Sequence, residues 1–89
     1  MLQLYIFDID DALLARMVVF SKKVALALEK VVTCKRVGVA VIGLEVPHAH
    51  IHLVPLNREG DISFSKERVK MTPDELRQLA EKISSEIVF

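Results

Sequence analysis

The sequence predicts an α+β fold in which two helices accompany a small antiparallel sheet. Apolar residues recur with a helical period near both ends of the chain, and between these stretches they alternate as they do in strands. The chain has 89 residues, of which 52% are hydrophobic and 27% charged. This is the composition of a globular protein and not of a disordered one. We therefore expect residues 1–89 to form a single domain.

The first helix is predicted over residues 11–32. Asp8, Asp10 and Asp11 crowd its start, where carboxylates can cap exposed amides and interact favourably with the helix dipole. The apolar positions that follow recur at spacings of three and four, namely Leu13, Leu14, Met17, Val18, Val24, Ala25, Leu28, Val31 and Val32. This pattern is typical of an amphipathic helix.

Two strands are predicted in the middle of the chain. Over residues 35–42, valines alternate with small residues such as Gly38 and Ala40, which would let another backbone or a ligand approach closely. The second strand is expected over residues 48–56. Because a lone hairpin is marginally stable and exposes its edges, either residues 1–6 or another chain would have to complete the sheet.

The C-terminal part predicts a loop and then a helix. Residues 57–70 are polar, with a weak extended signal at Ile62 and Phe64. Thr72, a proline and then Glu75 are typical of a helix start with a capping box. One apolar stripe follows, formed by Leu76, Leu79, Ala80, Ile83 and Ile87.

Charge and cysteine content limit the function classes. Twelve basic residues balance twelve acidic ones, so no long-range field attracts a nucleic-acid backbone, and a bound phosphate must be held by local groups. The single cysteine, Cys34, allows neither an internal disulfide nor a multi-cysteine zinc site. No apolar stretch is long enough to span a bilayer, and no basic segment resembles the start of a signal peptide. We expect a cytoplasmic location with neither nucleic acid nor membrane as a partner.

The most informative feature is the placing of the histidines. His48, His50 and His52 are the three histidines of the chain, and they alternate with apolar residues. On a strand they would lie on one face, with neighbouring residues on that face roughly 6.5–7 Å apart. Three imidazoles on a packed face would lose solvation without partners. The alternation therefore predicts that this face lines a polar cleft.

Three uses of such a face are open. The histidines could have no task, or they could bind zinc together with Cys34, Glu45 or Asp61. Third, a neutral imidazole can attack phosphorus, and the phospho-histidine formed is labile enough to be hydrolysed. We favour the third use, with the middle histidine as attacker. The flanking imidazoles would fix its other ring nitrogen and donate to phosphate oxygens.

Residues 48–54, His-Ala-His-Ile-His-Leu-Val, match the His-φ-His-φ-His-φ-φ signature (φ apolar) of the histidine-triad (HIT) family. The lead-in over residues 43–47, the following Pro55 and the helix before a small-residue strand also resemble that family. The family normally begins with a strand-rich segment that forms much of the base and ribose pocket. Here the helix begins almost at once, so the chain resembles the C-terminal part of such a protein, and we expect a truncated HIT-like domain.

The resemblance implies a homodimer that binds purine nucleotides and cleaves at the α-phosphorus of nucleoside phosphoramidates or dinucleoside polyphosphates. It implies neither a cofactor nor a metal. By position, His50 matches the nucleophile that becomes nucleotidylated, and His52 matches a donor to an α-phosphate oxygen. His48 matches the histidine that keeps the surroundings of the nucleophile in order. Alternatives are a non-catalytic nucleotide- or phosphate-binding fragment and, third, a zinc-binding domain.

The resemblance also assigns the turn before the triad to substrate binding. Gly43 and Val46 match positions whose backbone lies beside the phosphate. The chain departs from the family at Leu44, where many members carry glutamine, and at Glu45, where they carry serine or threonine that assists near the scissile bond. A Glu45 carboxylate turned inward would repel a phosphate, whereas strand alternation favours an outward direction.

Overall fold

The computed structural model describes residues 5–41, 44, 48–63 and 69–88. In chain order it contains a 3-10 turn (Ile6–Asp8), helix α1 (Asp11–Val31), strand β1 (Arg36–Ala40), strand β2 (His52–Leu56), a second 3-10 turn (Glu59–Ile62) and helix α2 (Pro73–Ser85). The strands pair antiparallel. The predicted α+β fold, with two helices and a small antiparallel sheet, is confirmed.

Helix α1 begins where the acidic cluster predicted a cap. The Asp10 carboxylate accepts a hydrogen bond from the Leu13 backbone N–H at 2.8 Å, which satisfies one of the amides that lack a partner within the helix. The helix contacts α2 and both strands. Among the described residues, the buried apolar side chains are Ile6, Ala27 and Leu28. The core is therefore thin, and most of it is contributed by the second half of α1.

The apolar pattern of α1 is not one buried stripe. Val18 is 54% exposed and Leu13 is 38% exposed, although both belong to the predicted apolar face. Val19, Phe20 and Leu26 are each about half exposed as well. The helix thus carries more apolar surface than the described part of the chain covers.

Both strands are shorter than the alternation predicts. Arg36 lies opposite Leu56, and Ala40 lies opposite His52. In this register Ile51 would face Val41, but Val41 is outside the ladder. The expected second strand therefore loses its first four residues, because a strand needs a hydrogen-bonded neighbour and alternation alone does not supply one.

Two segments in which the sequence left an additional strand open form no strand where the structure describes them. Ile6 begins a 3-10 turn, so this part of residues 1–6 adds no strand, and residues 1–4 lie outside the described part of the chain. Ile62 ends the second 3-10 turn, whereas Phe64 lies outside the described residues. The turn forms because the Asp61 carboxylate accepts backbone N–H groups nearby, which favours a tight turn over an extended chain.

Helix α2 starts with the predicted capping box. The Thr72 hydroxyl accepts from the Glu75 backbone N–H at 3.1 Å, and the Glu75 carboxylate accepts from the Thr72 backbone N–H at 2.8 Å. The helix packs against α1, and an ion pair joins Lys30 Nζ to Glu86 Oε1 at 3.8 Å. Of its apolar stripe, Leu76 remains 53% exposed. Within the described residues, neither helix has the length and apolar character that crossing a membrane requires.

Candidate active site

The register of the two strands decides what surrounds His52. Cross-strand partners share a face, and residues two apart along a strand do so as well. His52 is paired with Ala40, and Val54 with Gly38. His52 therefore projects from the face on which β1 carries its smallest side chains.

Part of this small-residue face is already filled. A Cβ atom added to Gly38 would lie 2.5 Å from Leu56 Cδ1 and 3.2 Å from Ile62 Cδ1. The expectation that Gly38 admits a ligand or another strand is therefore wrong, since side chains of β2 and of the following turn occupy that space. Ala40 is the small residue that lies directly opposite His52.

The imidazoles of His50 and His52 are neighbours. Their ring centroids are 4.8 Å apart, and the planes meet at 82°, an edge-to-face arrangement. Both side chains are partly buried, whereas His48 is exposed. His52 is the first residue of β2, and His50 lies two residues before the ladder begins. Two of the three predicted site histidines are thus in ring contact.

One ring nitrogen of His50 has a fixed partner. The His50 Nδ1 atom lies 3.0 Å from the backbone carbonyl oxygen of His48. A carbonyl oxygen can only accept, so this hydrogen bond requires the proton to be on Nδ1. In the neutral imidazole the lone pair is then on Nε2, because the partner of one nitrogen sets the state of the other. Nε2 is the atom suited to act as a nucleophile.

The partner that fixes the His50 ring differs from the one expected. The alternation predicted that a flanking imidazole would hold the second ring nitrogen, but the group in contact is the main-chain carbonyl of His48. Every residue has such a carbonyl, so the sequence carries no signal for this bond. The sequence indicated Ala40 as a small residue of the first strand, but not that it lies opposite His52.

The turn predicted to bind substrate comes directly before the histidines in the sequence. Gly43, Glu45 and Val46 lie outside the described residues. Leu44 is described, and it is 88% exposed.

In the described part of the chain, few potential metal ligands lie close together. No group of three or more histidine, cysteine, aspartate or glutamate side chains is placed there to hold a metal ion. Of the extra ligands considered for zinc, Asp61 already uses Oδ2 to accept the backbone N–H groups of Asn57 at 2.9 Å and Arg58 at 3.2 Å. Cys34 is a free, partly buried thiol.

Comparison with known proteins agrees with the histidine pattern. The model of the HIT domain family matches residues 4–59, a range that contains all three histidines. The fold is similar to the crystal structure of a histidine triad protein from Bradyrhizobium japonicum, with a TM-score of 0.72 at 21% sequence identity. That match covers 93% of this chain and 66% of the other. Since the family match extends over more than half of its residues, the chain belongs to the HIT domain family.

Proposed function

We propose that the protein is a nucleotide-binding hydrolase that cleaves at the α-phosphorus of purine nucleoside phosphoramidates or dinucleoside polyphosphates through a nucleotidyl-His50 intermediate. Membership of the HIT family supports the substrate class. The observation that carries the proposal is the contact of 3.0 Å between His50 Nδ1 and the His48 carbonyl oxygen. This contact assigns the lone pair of the neutral ring to Nε2.

In the first step the Nε2 lone pair of His50 attacks the α-phosphorus. A nitrogen–phosphorus bond forms, and the bond from phosphorus to the leaving group breaks. The leaving amine or phosphate keeps the electron pair and takes up a proton. The attacking imidazole gains positive charge, and the hydrogen bond from Nδ1 to the His48 carbonyl becomes stronger because its donor is now ionised.

His52 is the proposed donor to a non-bridging α-phosphate oxygen. Its ring lies beside that of His50, with 4.8 Å between the centroids. One phosphoryl group can therefore contact both rings. Local donors of this kind are needed because the balanced charge of the chain, twelve basic and twelve acidic residues, supplies no field of its own. Gly43, Glu45 and Val46 are proposed to place backbone groups of the preceding turn beside the same phosphate, with the Glu45 carboxylate directed outward.

In the second step a water molecule attacks the same phosphorus. The oxygen–phosphorus bond forms as the nitrogen–phosphorus bond breaks, and the electron pair returns to Nε2. The water gives up a proton, and the products are the nucleoside monophosphate and the original His50. His48 contributes through its carbonyl in this scheme, and its exposed ring is not required to contact His50.

The proposal is tested by incubating the wild-type protein and His50→Ala with adenosine 5′-phosphoramidate and measuring release of AMP. We expect the variant to lose activity by on the order of 10³-fold or more, the scale on which enzymes lose rate with their nucleophile. Rapid quenching with a denaturant at alkaline pH, where the nitrogen–phosphorus bond is stable, followed by mass spectrometry should find covalently bound AMP on the wild-type protein alone. Equal turnover in both proteins would contradict the proposal. Nucleotide binding without turnover in either protein would favour the non-catalytic nucleotide-binding alternative.

We further propose that the protein acts as a homodimer whose second subunit completes the sheet and the cleft. The two-stranded ladder is short for an independent sheet, and α1 exposes Val18, Val19, Phe20 and Leu26. Exposed apolar surface of this kind is typical of interaction sites. Sedimentation velocity is expected to give the mass of two chains at micromolar concentration. A monomer across the accessible concentration range would contradict this part of the proposal.

A further inference from the structure

The turn that follows β2 folds back onto the face of the strand pair that carries His52. The 3-10 turn Glu59–Ile62 contacts β2, and Ile62 Cδ1 lies 3.2 Å from where a Cβ on Gly38 would be. Gly38 shares a face with His52, because Ala40, two residues further along β1, is the strand partner of His52. The turn is therefore packed on the same side of the sheet as a triad imidazole.

Asp61 holds this turn together. Its side chain is only 15% exposed, and its Oδ2 atom accepts hydrogen bonds from the backbone N–H groups of Asn57 at 2.9 Å and Arg58 at 3.2 Å. The other oxygen, Oδ1, lies 3.6 Å from Arg58 Nε, but that arginine side chain is 81% exposed. An ion pair with such an exposed partner adds little stability. The two backbone hydrogen bonds are the stronger constraint.

Asn57 connects this turn to the start of β1. Its Oδ1 atom accepts a hydrogen bond from the backbone N–H of Lys35 at 3.1 Å, and the same N–H donates to the Leu56 carbonyl at 2.9 Å. Lys35 immediately precedes β1, and Leu56 ends β2. The amide that leads into β1 is thus held by the last residue of β2 and by the side chain of Asn57, the residue whose backbone N–H donates to Asp61.

We propose that Asp61 is a positioning residue for the histidine triad. By fixing the backbone of Asn57, whose side chain accepts from Lys35, it sets the register of β2 on β1 and so the placement of His52 opposite Ala40. Register matters here because a slip of one residue would move His52 to the opposite face of the sheet. The consequence for turnover rests on the proposed function, whereas the consequence for the placement of His52 against β1 does not.

The inference is tested with four variants and two readouts. Asp61→Ala removes both accepted hydrogen bonds, Asp61→Asn keeps one oxygen that can accept them, and Arg58→Gln removes the ion pair alone. Asn57→Ala removes the side-chain link to Lys35 at an exposed position. Nuclear Overhauser effects between the His52 ring and the methyl group of Ala40, its strand partner, report the register, and kcat and KM are measured with adenosine 5′-phosphoramidate.

We expect Asp61→Ala to weaken the cross-peak between His52 and Ala40 and to lower kcat about tenfold, because small misplacements of catalytic groups have effects of this size or larger. KM should change by less than about twofold, since the change acts on alignment and not on substrate binding. Asn57→Ala should act in the same direction by about threefold. Asp61→Asn and Arg58→Gln should match the wild-type protein, and amide spectra of α1 and α2 should remain unchanged throughout.

The inference is overturned if Asp61→Ala and Asn57→Ala both keep the wild-type cross-peak, or if Arg58→Gln weakens it as much as they do. Should Asp61→Ala fail to fold, Asn57→Ala decides the question by itself. A wild-type protein that shows the cross-peak but no turnover would contradict the proposed function and leave the positioning role to be decided by the cross-peak alone.

Discussion

The boundaries of helix α2 and of the strand pair β1–β2 are set by different kinds of contact. The start of α2 is set by hydrogen bonds between Thr72 and Glu75, which are three residues apart. The ends of the strands depend on pairs such as Arg36 with Leu56, which are twenty positions apart in the sequence. The candidate site lies at the strand pair, where boundaries depend on residues far apart in the sequence. Its geometry is therefore sensitive to changes at a distance, whereas α2 responds mainly to changes in its own first turn.

The largest expected effect is the difference in kcat between a variant of His52 and a variant of His48. His52→Ala should lower kcat by about 10²- to 10³-fold, the range for losing one donor to a charged transition state. His48→Ala should change kcat by less than about tenfold, because the substitution leaves the carbonyl that contacts His50 Nδ1 in place. Both are measured as AMP release from adenosine 5′-phosphoramidate. Equal losses in the two variants would mean that the His48 ring, and not its carbonyl, serves the reaction.

The next effect is on the strand pair. Gly38→Ala places a methyl group 2.5 Å from Leu56 Cδ1, so we expect it to reduce the free energy of unfolding by about 1–3 kcal/mol, as overpacking does. Urea denaturation measures this loss. The variant should also shift the imidazole resonances of His52, since Gly38 lies on the same face. A fully stable variant with unchanged His52 resonances would show that the strand pair relaxes without disturbing the site.

A matched change in α2 should have a smaller effect and leave the site alone. Thr72→Ala removes the hydroxyl that accepts the Glu75 N–H, and we expect a loss of about 1 kcal/mol in the free energy of unfolding, typical of a helix cap. Thr72→Ser is the control, because it keeps the hydroxyl. The His50 and His52 resonances should not move in either variant. Movement of these resonances would contradict the independence of α2 from the strand pair.

The smallest effect is a pH dependence of α2. Hydrogen bonds from the Thr72 backbone N–H, and secondly from its side chain, hold the pKa of Glu75 below its ordinary value of 4.5. Because the folded state lowers this pKa, the carboxylate stabilises the fold above pH 4.5 and loses that contribution as the pH falls. Hydrogen exchange at α2 amides should speed up between pH 5 and 3, after correction for intrinsic rates. Glu75→Gln should remove that dependence, and a variant that keeps it would rule out Glu75 as the cause.

The difference between local and long-range contacts also determines which parts of the fold the sequence predicts. The caps at Asp10 and Thr72 were predictable because each depends on a few consecutive residues. The strand cores were predictable from alternation, but their lengths were not. Residues 48–51 alternate imidazoles with apolar side chains, yet only residues 52–56 pair with β1.

The candidate site was predicted to a similar extent. The alternation of His48, His50 and His52 indicated neighbouring rings, and His50 and His52 are in contact. It did not indicate that a main-chain carbonyl contacts His50, since backbone groups are the same in every residue. Nor did it indicate the role of Asp61, which becomes visible only when the chain after β2 turns back onto the sheet.

The proposed attack on phosphorus depends most directly on which ring nitrogen of His50 carries the proton. Two-dimensional ¹⁵N–¹H spectra of the imidazoles, recorded where the ring is neutral, distinguish a proton on Nδ1 from one on Nε2. We predict that neutral His50 carries its proton on Nδ1, bonded to the His48 carbonyl at 3.0 Å, with Nε2 unprotonated. A neutral His50 with its proton on Nε2 would leave no lone pair there for the attack on phosphorus and would contradict the account.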